Sequence, residues 1–253
     1  MRRINKRGKT VLIILAVLLG ALVMFFLTNS GIDFSSKQER DLAATQDAQT
    51  ALNFALIGEY DADNPASVER VLGTDSFDNF QNNLKKDIKK TFENNAAIAD
   101  EVEFNGETYE KDDILNQLVD RYLATIWSDK NYTIDSIEYD RYGNTIVNYS
   151  VEQIDINQVQ QDVQLAVNSM VDNYYPEGAD RPTQSKMTLI ELALMAEEWN
   201  TIVKGNNLTS GDKFSGSFNM NFHRNFRDPF FSIDSGELTK ILNSGIVTSQ
   251  RGN

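Results

Sequence analysis

The sequence contains no cysteine and only one histidine among its 253 residues. The absence of cysteine excludes disulfide bonds, thiol catalysis and lipid attachment at a cysteine after export. The single imidazole, His223, excludes a zinc site built from several His or Cys ligands. A Ser-His-Asp mechanism would depend on His223 alone, and strand alternation predicts that this residue faces solvent, opposite to Phe222. We therefore expect no catalytic residue and no metal site.

Positive charge is scarce after the first nine residues. Five of the 24 Lys and Arg residues lie there, so the remaining 19 face all 37 Asp and Glu residues, and the rest of the chain carries a charge of −18. This excludes nucleic-acid binding, which requires a basic face, and anionic lipid would repel the same region. The acid excess indicates a soluble, self-repelling surface or, alternatively, a site for cations or a basic partner.

Charge is missing altogether from residues 11–27, which hold only apolar side chains and Gly20. With Thr10 and Thr28, the run 10–28 would form about 28 Å of helix, close to the thickness of a bilayer's hydrocarbon core. The tail 1–9 is basic and contains no acid. This asymmetry predicts a cytoplasmic N-terminus and an extracellular C-terminal domain.

A cleaved signal peptide is the alternative to a membrane anchor. Signal peptides have an apolar region of about 7–15 residues that ends at a small-x-small site. The run 10–28 is longer, and only Thr28-x-Ser30 resembles a cleavage site. The sequence therefore predicts a single-pass cell-membrane protein that is anchored through residues 10–28.

The remainder of the chain is predicted to be a polar linker, 29–40, and one extracytoplasmic domain, 41–247. Hydrophobic periodicity in this domain indicates helices, a hairpin, further helices, a second hairpin and a short final helix. This order predicts an α+β fold in which helices pack on an antiparallel sheet made from the two hairpins. Exported domains without cysteine are typical of Gram-positive cell surfaces.

Local signals predict several boundaries. The first helix is expected to begin near Asp41, to bury Leu42 and to stop at Gly58. The pair Gly143-Asn144 is expected to form the turn of the first hairpin. The stretch "EFNGETY", 103–109, is predicted to be a turn.

Acidic fragments offer two weak candidates for a calcium loop, "DADN" at 61–64 and "DKNYTID" at 129–135. Pro65 and Ile134 stand at loop positions where an EF-hand needs a ligand or glycine, so both fragments are interpreted as ordinary turns. No glycine-rich phosphate loop, nucleotide fingerprint or G-x-S-x-G elbow occurs. We therefore expect no cofactor.

Four aromatic residues are the candidates for binding a ligand or partner: Trp199, Phe218, Phe230 and Phe231. The phenylalanines of the second hairpin could line the mouth of a pocket beneath the helices. The alternative interpretation is that these side chains belong to the hydrophobic core.

Three segments carry a resemblance to a known family: "DAQTALNFALIGEYD", "IDSIEYDRYGNTIVNYSV" and "FSGSFNMNFHRNFRDPFFSID". Their layout resembles a domain-of-unknown-function family of Gram-positive lipoproteins and membrane-tethered ectodomains, and more loosely a nuclear-transport-factor-like domain. The resemblance would cover about residues 45–240 and implies helices over an antiparallel sheet, with no catalytic residue. It departs from the lipoprotein pattern at the missing lipobox cysteine.

Three functions then compete. The first is a non-catalytic extracytoplasmic domain that binds a ligand or protein partner at the bacterial cell envelope. The second is a bridging subunit of a secretion or conjugation machine, which rests on analogy of fold. The third is a hydrolase that uses acids alone, which would require two carboxylates about 5–10 Å apart in a pocket.

Overall fold

The computed structural model describes residues 35–59, 65–93, 97–128, 130–205, 208–223 and 229–247. The predicted tail 1–9 and the predicted membrane span 10–28 lie outside these residues. In the described part of the chain, no helix has the length and apolar content required to cross a membrane. The chain divides into two units, Met1–Glu39 and Arg40–Asn253, and the strands lie in the second.

The described residues form an α+β fold, as predicted, with seven α-helices, one π-helix and six strands. The helices are α1 (Ser35–Leu52), the π-helix (Asn53–Ile57), α2 (Pro65–Leu72), α3 (Thr74–Glu93), α4 (Lys111–Ile126), α5 (Ile156–Tyr174), α6 (Gln184–Gly205) and α7 (Ser235–Ser244). The strands are β1 (Glu101–Phe104), β2 (Glu107–Glu110), β3 (Tyr132–Tyr139), β4 (Thr145–Ile154), β5 (Thr209–His223) and β6 (Phe230–Ser232).

The larger sheet has four strands in the order β3-β4-β5-β6, and each neighbouring pair is antiparallel. The two predicted hairpins therefore supply this sheet and join along β4 and β5, where Val147 lies opposite Phe218. Gly143 adopts a φ of 90° in the first hairpin turn, a conformation that glycine reaches without strain. Asp140 reinforces that turn, because its Oδ1 accepts hydrogen bonds from the backbone N–H groups of Tyr142 and Asn144.

A second, two-stranded sheet is formed by strands on either side of the turn that was predicted within 103–109. Strands β1 and β2 pair in antiparallel register around Asn105 and Gly106, which both have positive φ. Val102 and Phe104 alternate with exposed acids and are buried. The turn itself was predicted correctly, but strands of four residues are too short to give a period-2 signal without their packing against α6.

The first helix differs from its prediction at its start and in its buried face. It begins at Ser35, so the end of the predicted linker 29–40 is helical. Ala44, Ala48 and Ala51 form the buried stripe, whereas Leu42 is 54% exposed, which contradicts its predicted burial. The helix widens into the π-helix and ends at Gly58 as predicted. Gly58 has φ 69°, and a Cβ there would lie 2.6 Å from the Trp127 ring.

The hydrophobic core lies between the helices and one face of the larger sheet. Val147, Tyr149 and Val151 of β4 point into it together with Phe218 and Met220 of β5. The helices contribute apolar side chains to the same cluster, among them Leu56, Leu115, Leu118, Val163, Leu189 and Leu238. The inner face is therefore occupied by the core, and the opposite face of the sheet is available for other contacts.

Candidate functional site

The candidate site is the side of the larger sheet that faces away from the core, here called the outer face. Alternation along each strand places its side chains, since residues directly opposite each other in an antiparallel pair share one side. Its members are Thr133, Asp135, Ser136, Glu138, Ile146, Asn148, Ser150, Glu152, Lys213, Ser215, Ser217, Asn219, Asn221, His223, Phe230 and Ser232. All of these side chains are exposed or half-buried.

Small hydroxyl and amide side chains predominate on the outer face, and hydrogen bonds link many of them. Asn148 Nδ2 donates to Ser136 Oγ at 2.9 Å and to Glu138 Oε1 at 3.2 Å. Ser150 Oγ donates to Asp135 Oδ2 at 2.6 Å and lies 3.2 Å from Ser215 Oγ. These bonds link donors and acceptors of three neighbouring strands.

The charge of the outer face is negative. Among its described members, Asp135, Glu138 and Glu152 are acidic and Lys213 is basic. Lys213 lies directly opposite Glu152 on the neighbouring strand. Asp135 and Glu138, the other two carboxylates, lie on the edge strand β3.

One end of the outer face is aromatic. The imidazole of His223 stacks on the ring of Phe230, with centroids 4.5 Å apart and an angle of 8° between the planes. His223 Nε2 shares a hydrogen bond of 2.7 Å with Ser232 Oγ. The guanidinium of Arg70, on α2, lies 5.3 Å from the centroid of the Phe230 ring. His223 is exposed, as strand alternation predicted.

Behind this aromatic end, a buried carboxylate ties β6 to the helices. Asp47, on α1, is 2% exposed, and its Oδ2 accepts a hydrogen bond of 2.8 Å from the backbone N–H of Phe231. Its Oδ1 lies 3.6 Å from Arg70 Nη2. Asp47 and Arg70 were not predicted from the sequence, because each looks like an ordinary polar residue of a surface helix.

The four predicted aromatic candidates fall into two groups. Trp199, Phe218 and Phe231 have no exposed surface, and only Phe230 is half-buried on the outer face. Trp199 Nε1 donates to Thr125 Oγ1 at 2.9 Å, and its ring packs against Phe92 and Tyr122 in the helical layer. Phe230 is thus the candidate that a partner could touch without displacing the core.

Lys130 is a buried cation that the sequence analysis also missed. It is 6% exposed, and its Nζ donates to Leu56 O at 2.9 Å and to Ile126 O. Burial lowers the pKa of Lys130 from its ordinary value of 10.5 to about 8. In the described part of the chain, no carboxylate forms an ion pair with it. Its contacts join the π-helix to the end of α4, a structural role.

A shallow depression of about 460 Å³ follows α5, but there Arg181 Nη2 already donates to Tyr175 O at 2.9 Å and lies 3.7 Å from Asp172. The acidic fragment 61–64 and Asp129 lie outside the described residues. Among the residues that the structure describes, no group of three or more His, Cys, Asp or Glu side chains is placed to hold a metal ion.

Comparison with known proteins shows a similarity at the level of the fold. The chain is similar to the crystal structure of YcdA, a candidate lipoprotein of Bacillus subtilis, with a TM-score of 0.53 and 15% sequence identity. The similarity covers 87% of this chain but 60% of YcdA. No protein-family model matches the sequence, and no curated protein matches it. The shared fold agrees with the resemblance to Gram-positive lipoprotein ectodomains.

Proposed function

We propose that this protein is a membrane-anchored, non-catalytic domain that binds a partner at the bacterial cell envelope through its outer face. Residues 10–28 would cross the membrane once, and the acidic domain that follows would lie outside the cell. The fold shared with a candidate lipoprotein supports a place at the envelope. The missing cysteine means that a transmembrane segment, rather than a lipid, would hold the domain there.

The outer face is the observation that carries this proposal. Its side chains are small, polar and accessible, and hydrogen bonds position several of them before any partner arrives. Immobilising Ser, Thr and Asn costs less side-chain entropy than immobilising Lys, Arg or Glu. A surface of this kind can therefore form many polar contacts at a low cost in conformational freedom.

Membrane attachment is tested by fractionating cells that express the full chain. We expect the protein to sediment with membranes, to resist washing with high salt and to retain its N-terminal residues, because residues 10–28 form an uncleaved span. Mass spectrometry of the purified protein identifies the first residue. A mature N-terminus near Gly31 would contradict the anchor.

Binding by the outer face is tested with the full chain in detergent and with purified Gram-positive cell walls. Ser217 is exposed on this face, and Ser169 is exposed on α5. We expect Ser217→Arg to reduce co-sedimentation with the walls and Ser169→Arg, which adds the same side chain elsewhere, to leave it unchanged. Equal effects of the two variants would exclude the outer face as the contact surface.

A further inference from the structure

We propose that the partner of the outer face is a glycan whose sugar units carry free amino groups. This inference rests on the proposed function and names the chemistry of the partner at the same surface. Three properties of the outer face lead to it: its exposed hydroxyl and amide groups, its negative charge and its small apolar contact points.

The unsatisfied polar groups favour a polyhydroxyl partner. In the described part of the chain, the side chains of Ser217 and Asn221 have no hydrogen-bond partner, and both are exposed on β5. Hydroxyl groups donate and accept hydrogen bonds, and amides do the same through different atoms. A ring bearing several hydroxyls matches such a mixed array, directly or through bridging water.

The charge of the outer face favours amino groups on that partner. Hydrogen bonds hold two of the carboxylates in place. Asp135 accepts from Thr133 Oγ1 and Ser150 Oγ, and Glu152 accepts from Asn131 Nδ2. Among the described members of the outer face, three carboxylates outnumber the one lysine, so that an acidic glycan, a nucleic acid or an anionic membrane would be repelled. A second copy of this chain would present the same negative face and would be repelled as well.

The apolar contact points suit the C–H faces of sugar rings. Ile146 is 39% exposed in the middle of the outer face, between Glu138 and Asn219 on the adjacent strands. The stacked pair of His223 and Phe230 closes one end. A hydrophobic protein partner would require a larger continuous apolar patch than one isoleucine and one half-buried ring provide.

The inference is tested by isothermal titration calorimetry of the full chain in detergent with three oligomers of equal length. A glucosamine hexamer is a cationic polyol, an N-acetylglucosamine hexamer is a neutral polyol, and a lysine hexamer is cationic without hydroxyls. We expect the glucosamine hexamer to bind, and the other two to bind at least about tenfold more weakly. Equal or tighter binding of either of these two oligomers would overturn the inference, because one of the two recognised features would be dispensable.

Matched variants locate the site. We expect Ser217→Arg, which fills space on the outer face, to weaken binding of the glucosamine hexamer about tenfold or more. The double variant Glu138→Gln/Glu152→Gln, which removes two negative charges, should have an effect of the same size. Ser169→Arg and Glu103→Gln, at exposed positions on α5 and β1, should leave the affinity unchanged. Glutamine keeps an acceptor oxygen for the hydrogen bonds from Asn131 and Asn148. An unchanged melting temperature confirms that each variant folds.

The outcomes separate this inference from the proposed function. If the glucosamine hexamer does not bind but cell-wall binding still depends on Ser217, the proposal of a glycan partner is overturned. The outer face then remains a binding surface. Dimerisation of the full chain that Ser217→Arg abolishes would identify a second copy as the occupant and would also overturn the glycan. Loss of both binding activities would remove the proposed function as well.

Discussion

At the scale of single residues, Lys130 is a charged group whose burial has to be offset by its hydrogen bonds. A buried ammonium usually faces a carboxylate, but here the acceptors are two backbone carbonyls at the ends of the π-helix and α4. Both carbonyls lie in the last turn of a helix, where no backbone donor from the same helix reaches them and where the dipole favours a cation. The hydrogen bonds from Lys130 therefore offset part of the free-energy cost of burying its charge, because they supply a donor to carbonyl groups that would otherwise have none.

Replacement of Lys130 by methionine keeps most of the length of the side chain but removes its donor. We expect Lys130→Met to lower the free energy of unfolding by about 1–3 kcal/mol at neutral pH, because two buried carbonyls lose a hydrogen bond. Chemical denaturation at pH 7 measures this loss. Lys186→Met, on the exposed surface of α6, is the control and should change the stability little.

Comparison with Lys130→Met also measures how the titration of the Lys130 amine changes the stability of the protein with pH. Since burial lowers the folded pKa of Lys130 from 10.5 to about 8, the unfolded chain binds more protons than the native chain between these values. The stability of the unaltered protein should therefore rise, relative to Lys130→Met, from pH 8 to about pH 9.5. A stability difference that stays constant over this range would contradict the lowered pKa.

At the scale of elements, the shortest strand of the described residues is β6. It has three residues and pairs with β5 on one side only. On its other side, Asp47 accepts from the N–H of Phe231, and the N–H of Ile233, the first residue after the strand, donates to Val71 O at 2.9 Å. A helix side chain and the end of α2 thus take the place of a fifth strand and leave no open edge there.

Removal of the Asp47 carboxylate should loosen β6 locally. We expect Asp47→Ala to cost about 1–3 kcal/mol and to accelerate hydrogen exchange at the Phe231 amide, because that buried N–H loses its acceptor. Asp47→Asn retains an acceptor oxygen and should slow that exchange relative to the alanine variant. Equal exchange rates in the two variants would show that the hydrogen bond to Phe231 does not hold the strand.

At the scale of the whole molecule, stability should be independent of metal ions. The core is a continuous apolar cluster that joins the helices to the larger sheet. The two acidic fragments lack the spacing of a calcium loop at Pro65 and Ile134. We expect the melting temperatures in chelator and in millimolar calcium to differ by less than about 5 °C, since a real site would stabilise the native state by mass action. Calorimetry measures the difference, and a larger shift would reveal a calcium site.

The sequence alone determined the class of fold and the position of most elements. Glycine stop and turn signals are local properties, so they located the turn of the first hairpin at Gly143 and the end of the first helical segment at Gly58. The sequence also predicted correctly that His223 is exposed, because alternation along a strand follows from the pleat of the backbone. Composition predicted which ligand classes the protein should not bind, since charge and the absence of cysteine do not depend on the fold.

Only the tertiary structure decided which residues act together. The outer face combines residues from four strands, and the contact of β4 with β5 brings Ser150 beside Ser215, far away in the sequence. The burial of Lys130 and Asp47, and the separation of Phe230 from the fully buried Trp199, depend on neighbours contributed by distant helices. A residue's burial is a property of all the elements around it, and a local pattern contains no information on which of them will meet.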